Sequence, residues 1–244
     1  MFLLVTAPWG IAIHSDTLEY ICMAKYLSTG HVFSIHGMSA PELLRYYLPF
    51  FSFCLSVMDR WGISLFGGIR WFNAVFFGLN IVLAGLILIK HTKAFWPALL
   101  GAVMMFISPD VLKVSAAAMT EPLYIFFLLL FLLLFFDYMQ RPHWALLVPA
   151  ALAASLAAIT RYAGIPLICT GIAGIFLCKN TPLGKIKHAV VFSLISLLPM
   201  ALWFCRNVLL CGVGTNVTFI FHPPITPDYF YKSASVFCGW FLPE

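Results

Sequence analysis

Residues 63–89 form an apolar run whose one charged side chain is Arg70. About 20 such residues are enough to cross the hydrocarbon of a bilayer as a helix. In lipid a backbone must satisfy its own N–H and C=O groups, so a run of this length is read as a spanning helix. The pattern recurs. Residues 122–136, 144–160, 164–178 and 189–205 are further apolar runs, and a shorter one, 95–107, stops at Ser108-Pro109-Asp110. Hydrophobic residues make up 62% of the chain and charged residues 9%, well outside the balance of a soluble domain. The expected fold is all-α, a polytopic transmembrane helical bundle.

The chain ahead of these runs divides unevenly. Residues 1–13 are apolar but too short to cross, and they lack the basic start and small-residue cleavage site of a signal peptide. They read as a partial first span without its beginning. Residues 14–62 mix charges with Tyr, Phe and Pro, and are expected to form an outer loop with amphipathic helices at the membrane interface. The first helix is predicted over 15–28, with Leu18, Ile21, Cys22 and Tyr26 near one stripe and Gly30 as its stop. A second, starting in Tyr46-Tyr47-Leu48-Pro49-Phe50-Phe51, lies on or dips into the membrane. Spans then continue to about 205. The membrane domain is set at 1–212, and the polar, proline-rich 213–244 reads as an extracytoplasmic loop or the start of a missing C-terminal half.

Alternation of the spans sorts the charges. Lys90, Lys93, Arg141, Lys179, Lys185 and Lys187 share one side with Asp137 alone as acidic company, and the positive-inside rule makes that side cytoplasmic. Asp16, Glu19, Glu42, Asp59, Asp110, Glu121 and Asp228 fall on the other side, together with Lys25, Arg45, Lys113, Arg161 and Arg206. This mixed-charge extracytoplasmic face is where a site is expected. The chain carries no organelle address, and a bacterial inner or plasma membrane is the expected location. The net charge of +5 is scattered among the spans, with no basic, aromatic-interleaved patch of the kind that binds nucleic acid.

Several charged residues have both a structural and a functional reading. Asp16 and Glu19 are spaced to share one helix face, or to form a capping box with Asp16 as N-cap. In Thr120-Glu121-Pro122, Thr120 can cap a helix whose first turn favours Glu121 and Pro122. Alternatively, Glu121 is a second carboxylate facing Asp16, or a metal ligand. Arg161 and Arg206 end outward-running spans, either as cations at helix C-termini or as binders of an anionic headgroup. Arg70 lies deeper, where a guanidinium needs a carboxylate, a polar cavity or a phosphate.

Other chemistries find no support. The seven His residues show no His-Glu-x-x-His and no His/Cys zinc spacing. Gly212-x-Gly214 lacks the Lys-Ser/Thr of a phosphate loop, and no Gly-x-Ser-x-Gly elbow is present. The seven cysteines form no C-x-x-C pair and mostly sit in or beside apolar runs, as small hydrophobes do.

Four blocks together resemble the GT-C superfamily of membrane glycosyltransferases, in particular the family-39-like group of protein O-mannosyltransferases and lipid A aminoarabinose transferases. They are His14-Ser15-Asp16-Thr17-Leu18-Glu19-Tyr20 with Ala24 to His31, Ala118-Met119-Thr120-Glu121-Pro122-Leu123, Ile159-Thr160-Arg161-Tyr162-Ala163-Gly164, and Leu202-Trp203-Phe204-Cys205-Arg206-Asn207. The resemblance implies hexosyl or pentosyl transfer, with inversion, from a polyprenyl-phosphate-linked sugar to a lipid, glycan or protein acceptor at the extracytoplasmic face. It implies Asp16 as general base, Glu19 and Glu121 as supporting carboxylates, and Arg70, Arg161 and Arg206 as candidates for the donor phosphate. No cofactor or metal is expected, although metal use varies across the superfamily. Where family members carry two adjacent acids, Asp16 is followed by Thr17. Members are also roughly twice as long, so a truncated chain is expected. The competing expectations are a membrane transporter or flippase, and an inactive fragment of such a transferase.

Overall fold

The computed structural model describes residues 15–29, 47–212, 214 and 227–239. Among them the chain is helical, with no β-strand: α1 (Ser15–Thr29), α2 (Phe50–Arg60), α3 (Leu65–Thr92), α4 (Phe95–Ile107), α5 (Pro109–Ala116), α6 (Glu121–Gln140), α7 (Trp144–Thr160), α8 (Ile165–Leu177), α9 (Pro182–Cys211) and α10 (Pro227–Gly239). A 3₁₀ turn, Tyr162–Gly164, joins α7 to α8. Among the described residues three helices are long and apolar enough to cross a membrane: α3, α6 and the stretch Pro182–Leu210 of α9. The pair α4–α5, bent by 53°, makes a fourth if taken as one broken span. The all-α polytopic bundle expected from the sequence is the fold observed.

The middle of the bundle is α7. Leu147, Ala150, Ala151, Ala153, Ala154, Ala157 and Ala158 are all buried along it, between α6, α8 and α9. Small side chains let helix backbones approach closely, which substitutes for hydrophobic drive where the solvent is itself apolar. Large rings fill what the alanines leave. Phe131 stacks on Phe135 at 5.1 Å and Phe135 on Tyr138 at 5.6 Å, with Phe192 of α9 alongside. On α8, a Cβ added to Gly171 would run into the ring of Phe192, and one on Gly174 into that of Phe135.

The polar groups divide between two ends. Lys90 near the end of α3 pairs with Asp137 near the end of α6. Beside them Tyr138 meets His188 at the start of α9, oxygen to Nδ1 2.7 Å. The opposite end holds the N-terminus of α6 and the C-terminus of α7, and α1 and α2 pack there. Their contacts keep a nearly constant sequence offset: Tyr20 with Ser52, Lys25 with Asp59 and Leu27 with Arg60 are 32, 34 and 33 residues apart. The two helices therefore run in the same direction. They seat on the bundle through Tyr20, Ala24, Phe51 and Leu55, which cluster with Leu65 and Ile69 of α3 and Leu123 and Phe127 of α6.

The structure moves several sequence expectations. The buried face of α1 is Thr17, Tyr20, Met23 and Ala24, whereas Leu18 of the predicted stripe is 45% exposed. Contact with α2 and with the chain around Ala118 selects the buried face, and the helix's own hydrophobicity is too evenly spread to do so. Asp16 falls inside the first turn of α1, described from Ser15, and not ahead of the helix as an N-cap would. Gly30 and Tyr46 lie outside the described residues. The stop at Ser108-Pro109 is also a start, because Ser108 precedes α5 and Pro109 occupies its first turn. The span predicted over 189–205 extends to Pro182–Cys211. Thr181 accepts a hydrogen bond from Gly184 N at 3.1 Å at one end, and Gly212 closes the other at φ 71°. Within the polar tail, α10 was not foreseen.

One clamp ties α1 to α2. Asp59 accepts from Lys25 Nζ at 2.6 Å and from Ser28 Oγ at 2.5 Å, and both bonds hold its carboxyl below the usual carboxylate range. Its contribution to stability is thus complete above about pH 4, the ordinary carboxyl value, and is lost as pH falls further through the folded-state value. With Lys25 partly exposed, Asp59→Asn is expected to cost about 1 kcal/mol. Thermal melts in detergent should show a lowered midpoint at pH 7 that converges with wild type as pH falls through the folded-state value.

Candidate active site

A cavity of about 340 Å³ opens at the end of the bundle where α1, α6 and α7 meet. It is lined by Asp16 and Tyr20 from α1, Tyr47 and Leu48 ahead of α2, Met119, Thr120 and Glu121 at the start of α6, and Thr160 to Ala163 after α7.

Two helix termini of opposite sense build its floor. Glu121 is the first residue of α6, where the unsatisfied N–H groups and the helix dipole favour a carboxylate. Arg161 follows the last residue of α7 in extended conformation, φ −147° and ψ 142°. This departure from the helix carries its guanidinium across to α6. Arg161 Nη1 lies 2.5 Å from Glu121 Oε1 and donates to Thr120 Oγ1 at 2.9 Å. Thr120 makes no side-chain cap to α6, and its hydroxyl serves Arg161 instead. The second carboxylate oxygen, Glu121 Oε2, is buried and has no hydrogen-bond partner among the described residues.

The turn after Arg161 explains why the sequence reads Thr-Arg-Tyr-Ala-Gly. The backbone at Gly164 folds back so closely that a Cβ there would strike the main chain of Ala157 and Ala158. Tyr124 of α6 donates its hydroxyl hydrogen to Ala163 O at 3.0 Å, fixing the turn from the other side.

Opposite this floor stands a carboxylate–phenol group. Tyr47 donates to Asp16 Oδ1 at 3.4 Å, a long bond, and packs edge-on against Tyr20 at 5.1 Å between centroids. Burial pushes the Tyr47 phenol well above its ordinary value, and the carboxylates of Glu19 and Asp16, between which its single hydroxyl hydrogen is shared, push it further. The Tyr20 phenol is pushed up to about 12, first by burial. Its hydrogen bond with Thr120 works against that rise and the Asp16 carboxylate adds to it. Both phenols stay protonated at neutral pH, and Tyr47 acts as a donor.

Of the residues singled out in the sequence, Asp16, Glu121 and Arg161 line one cavity. Glu19 lies outside its lining but reaches Tyr47. Arg70 and Arg206 do not line it. Arg206 sits over the Trp203 ring at 4.9 Å and donates to Asn207 Oδ1 at 2.9 Å, and Trp203 packs against Met23 of α1. Tyr20, Tyr47, Thr160 and Tyr162 were missed. The spacing of Tyr20 one turn after Asp16 was a usable signal. Tyr47, 31 residues from Asp16, had none. Among the described residues no three His, Cys, Asp or Glu side chains are gathered as a metal site.

These features define an integral membrane protein with an acid–arginine cavity at one end of its helical bundle. The family model for dolichyl-phosphate-mannose-protein mannosyltransferase matches residues 23–213, most of the chain. The chain belongs to that family, and so to the membrane glycosyltransferases that use a polyprenyl-phosphate-linked sugar donor. No curated protein and no solved structure matches it. Glu121 and Arg161 fall within the matched residues, and Asp16 precedes them.

Removing one member of the Glu121–Arg161 pair strands the other charge in a half-buried wall. Arg161→Ala is expected to destabilise the chain by about 1–2 kcal/mol, less than a fully buried pair would lose. Adding Glu121→Gln should restore part of that loss. Thermal melts of both single variants and the double variant give the coupling, and strictly additive losses would show that the pair contributes nothing.

Proposed function

We propose that this protein transfers a sugar from a polyprenyl-phosphate donor to an acceptor hydroxyl at the extracytoplasmic membrane surface, with inversion and with Asp16 as general base. The family name makes mannose the first sugar to test and a protein hydroxyl the first acceptor. The observation that carries the proposal is the convergence of Asp16 and the Glu121–Arg161 pair on one cavity at the bundle end. That end lies away from Lys90 and Asp137. The lysine- and arginine-rich loops at 90–93, 141 and 179–187 support a cytoplasmic location for the far end.

In the proposed reaction the acceptor hydroxyl donates its proton to Asp16 as its oxygen bonds the anomeric carbon. The bond from that carbon to the phosphate oxygen breaks on the opposite face, and polyprenyl phosphate leaves with the electron pair. Tyr47 holds Asp16 in place by donating to it. Among the described residues Arg161 is the cation that lines the cavity, and its guanidinium offers donors beyond the Nη1 used by Glu121 and Thr120. A cation placed where negative charge gathers on a leaving phosphate lowers the barrier. Arg70 and Arg206, away from this cavity, are the weaker candidates for that task.

Asp16→Asn keeps shape and removes the base. It is expected to lower transfer roughly 10²- to 10⁴-fold, with membrane insertion and melting temperature unchanged. The assay is label transfer from polyprenyl-phosphate-mannose in membranes containing the chain. Near-wild-type transfer by the variant would take the role away from Asp16.

A further inference from the structure

In the apolar α3, Asn73 and Asn80 are two turns apart on one face, and each is 1% exposed. Asn73 Nδ2 donates to Ala117 O at 2.5 Å, and Asn80 Nδ2 donates to Pro122 O at 2.8 Å. These two carbonyls bracket the connection between α5 and α6, which carries Thr120 and Glu121. Between them Ala118 O accepts from Thr17 Oγ1, 3.4 Å away, and Thr17 is the neighbour of Asp16.

Stability alone does not account for these amides. The Oδ1 atom of each is buried and has no partner among the described residues. A half-satisfied amide inside an apolar bundle costs more than a well-packed hydrocarbon side chain of the same volume. What each amide supplies is one directed donor. Ala117 is extended, at φ −100° and ψ 162°, and leaves the helical hydrogen-bond ladder there.

We infer that Asn73 and Asn80 are positioning residues that hold the Ala117–Pro122 connection against α3, and so fix Glu121 in the wall of the cavity it shares with Asp16. The effect on catalysis rests on the transfer reaction proposed above, whereas the clamp itself does not. The clamp acts from a span whose own arginine lies outside the cavity lining, and it reaches the site through two side-chain amides bound to main-chain carbonyls of the connection.

Asn73→Leu and Asn80→Leu keep the branched shape in a somewhat larger side chain and delete the donor. Hydrogen exchange of the full chain in detergent, read by mass spectrometry, should quicken roughly tenfold over 117–122. Residues 124–136 should exchange as in wild type. The kcat for sugar transfer should fall roughly 10- to 100-fold with donor KM little changed, as misplacement of a site group does. Asn73→Ser and Asn80→Ser retain a hydroxyl donor and should recover part of the kcat, and they serve as the test if the leucine variants do not fold. In a Glu121→Gln background the leucine changes should lower kcat no further. Unchanged exchange over 117–122 overturns the clamp whether or not the wild type transfers sugar, as does exchange that quickens throughout the bundle. Quickened local exchange with undiminished kcat overturns the positioning role. A wild-type chain that transfers no sugar overturns the reaction instead, and the exchange result still decides the clamp.

Discussion

The contact between Glu121 and Arg161 is the constraint around which this end of the protein is arranged. In a chain with so few charges, an ion drawn toward a bundle must find its counter-ion or stay in the headgroups. Here the partners come from the start of one helix and the end of the next, so the pair also sets how α6 and α7 register. The glycine at 164 and the hydroxyl of Tyr124 then hold the turn that delivers Arg161. A structural ion pair and a polar cavity are thus the same object, and the aromatic groups of α1 and α2 complete it.

The remainder of the bundle is organised by contrast in side-chain size. Alanines along α7 and glycines on α8 bring backbones together, and stacked phenylalanines occupy the spaces left between. Each polar end then requires only a few directed bonds. At the far end these are Lys90 with Asp137 and Tyr138 with His188, and at the near end the cavity network.

Helix content was legible because apolar run length in lipid leaves the backbone little choice. The run at 144–160 coincides with α7, and 95–107 with α4. The kink at Ser108 was visible as a break, but the short helix beyond it lacked a long apolar run to announce it. The face of α1 was misjudged because its partners, α2 and the chain around Ala118, lie far away in sequence. The site was legible to the extent that its members sit at helix termini. Asp16, Glu121 and Arg161 are marked by turn residues and by rarity of charge. Tyr47 and the two asparagines of α3 are not, since a phenol or an amide in an apolar run acquires meaning only from what it faces. Arg70 and Arg206 are equally rare charges, and neither lines this cavity.

The parallel pair α1–α2 has a consequence for how the cavity works as a volume. Asp16 and Tyr47 ride on that pair, while Glu121 and Arg161 belong to the bundle, so the cavity is a seam between two packed bodies. Directed bonds across the seam include the long Thr17–Ala118 bond and the Tyr20–Thr120 contact. The apolar contacts of Tyr20, Ala24, Phe51 and Leu55 with α3 and α6 add to them. The width of the cavity is therefore set by how two separately braced bodies seat on one another, the Lys25–Asp59 clamp inside one and the Glu121–Arg161 pair inside the other.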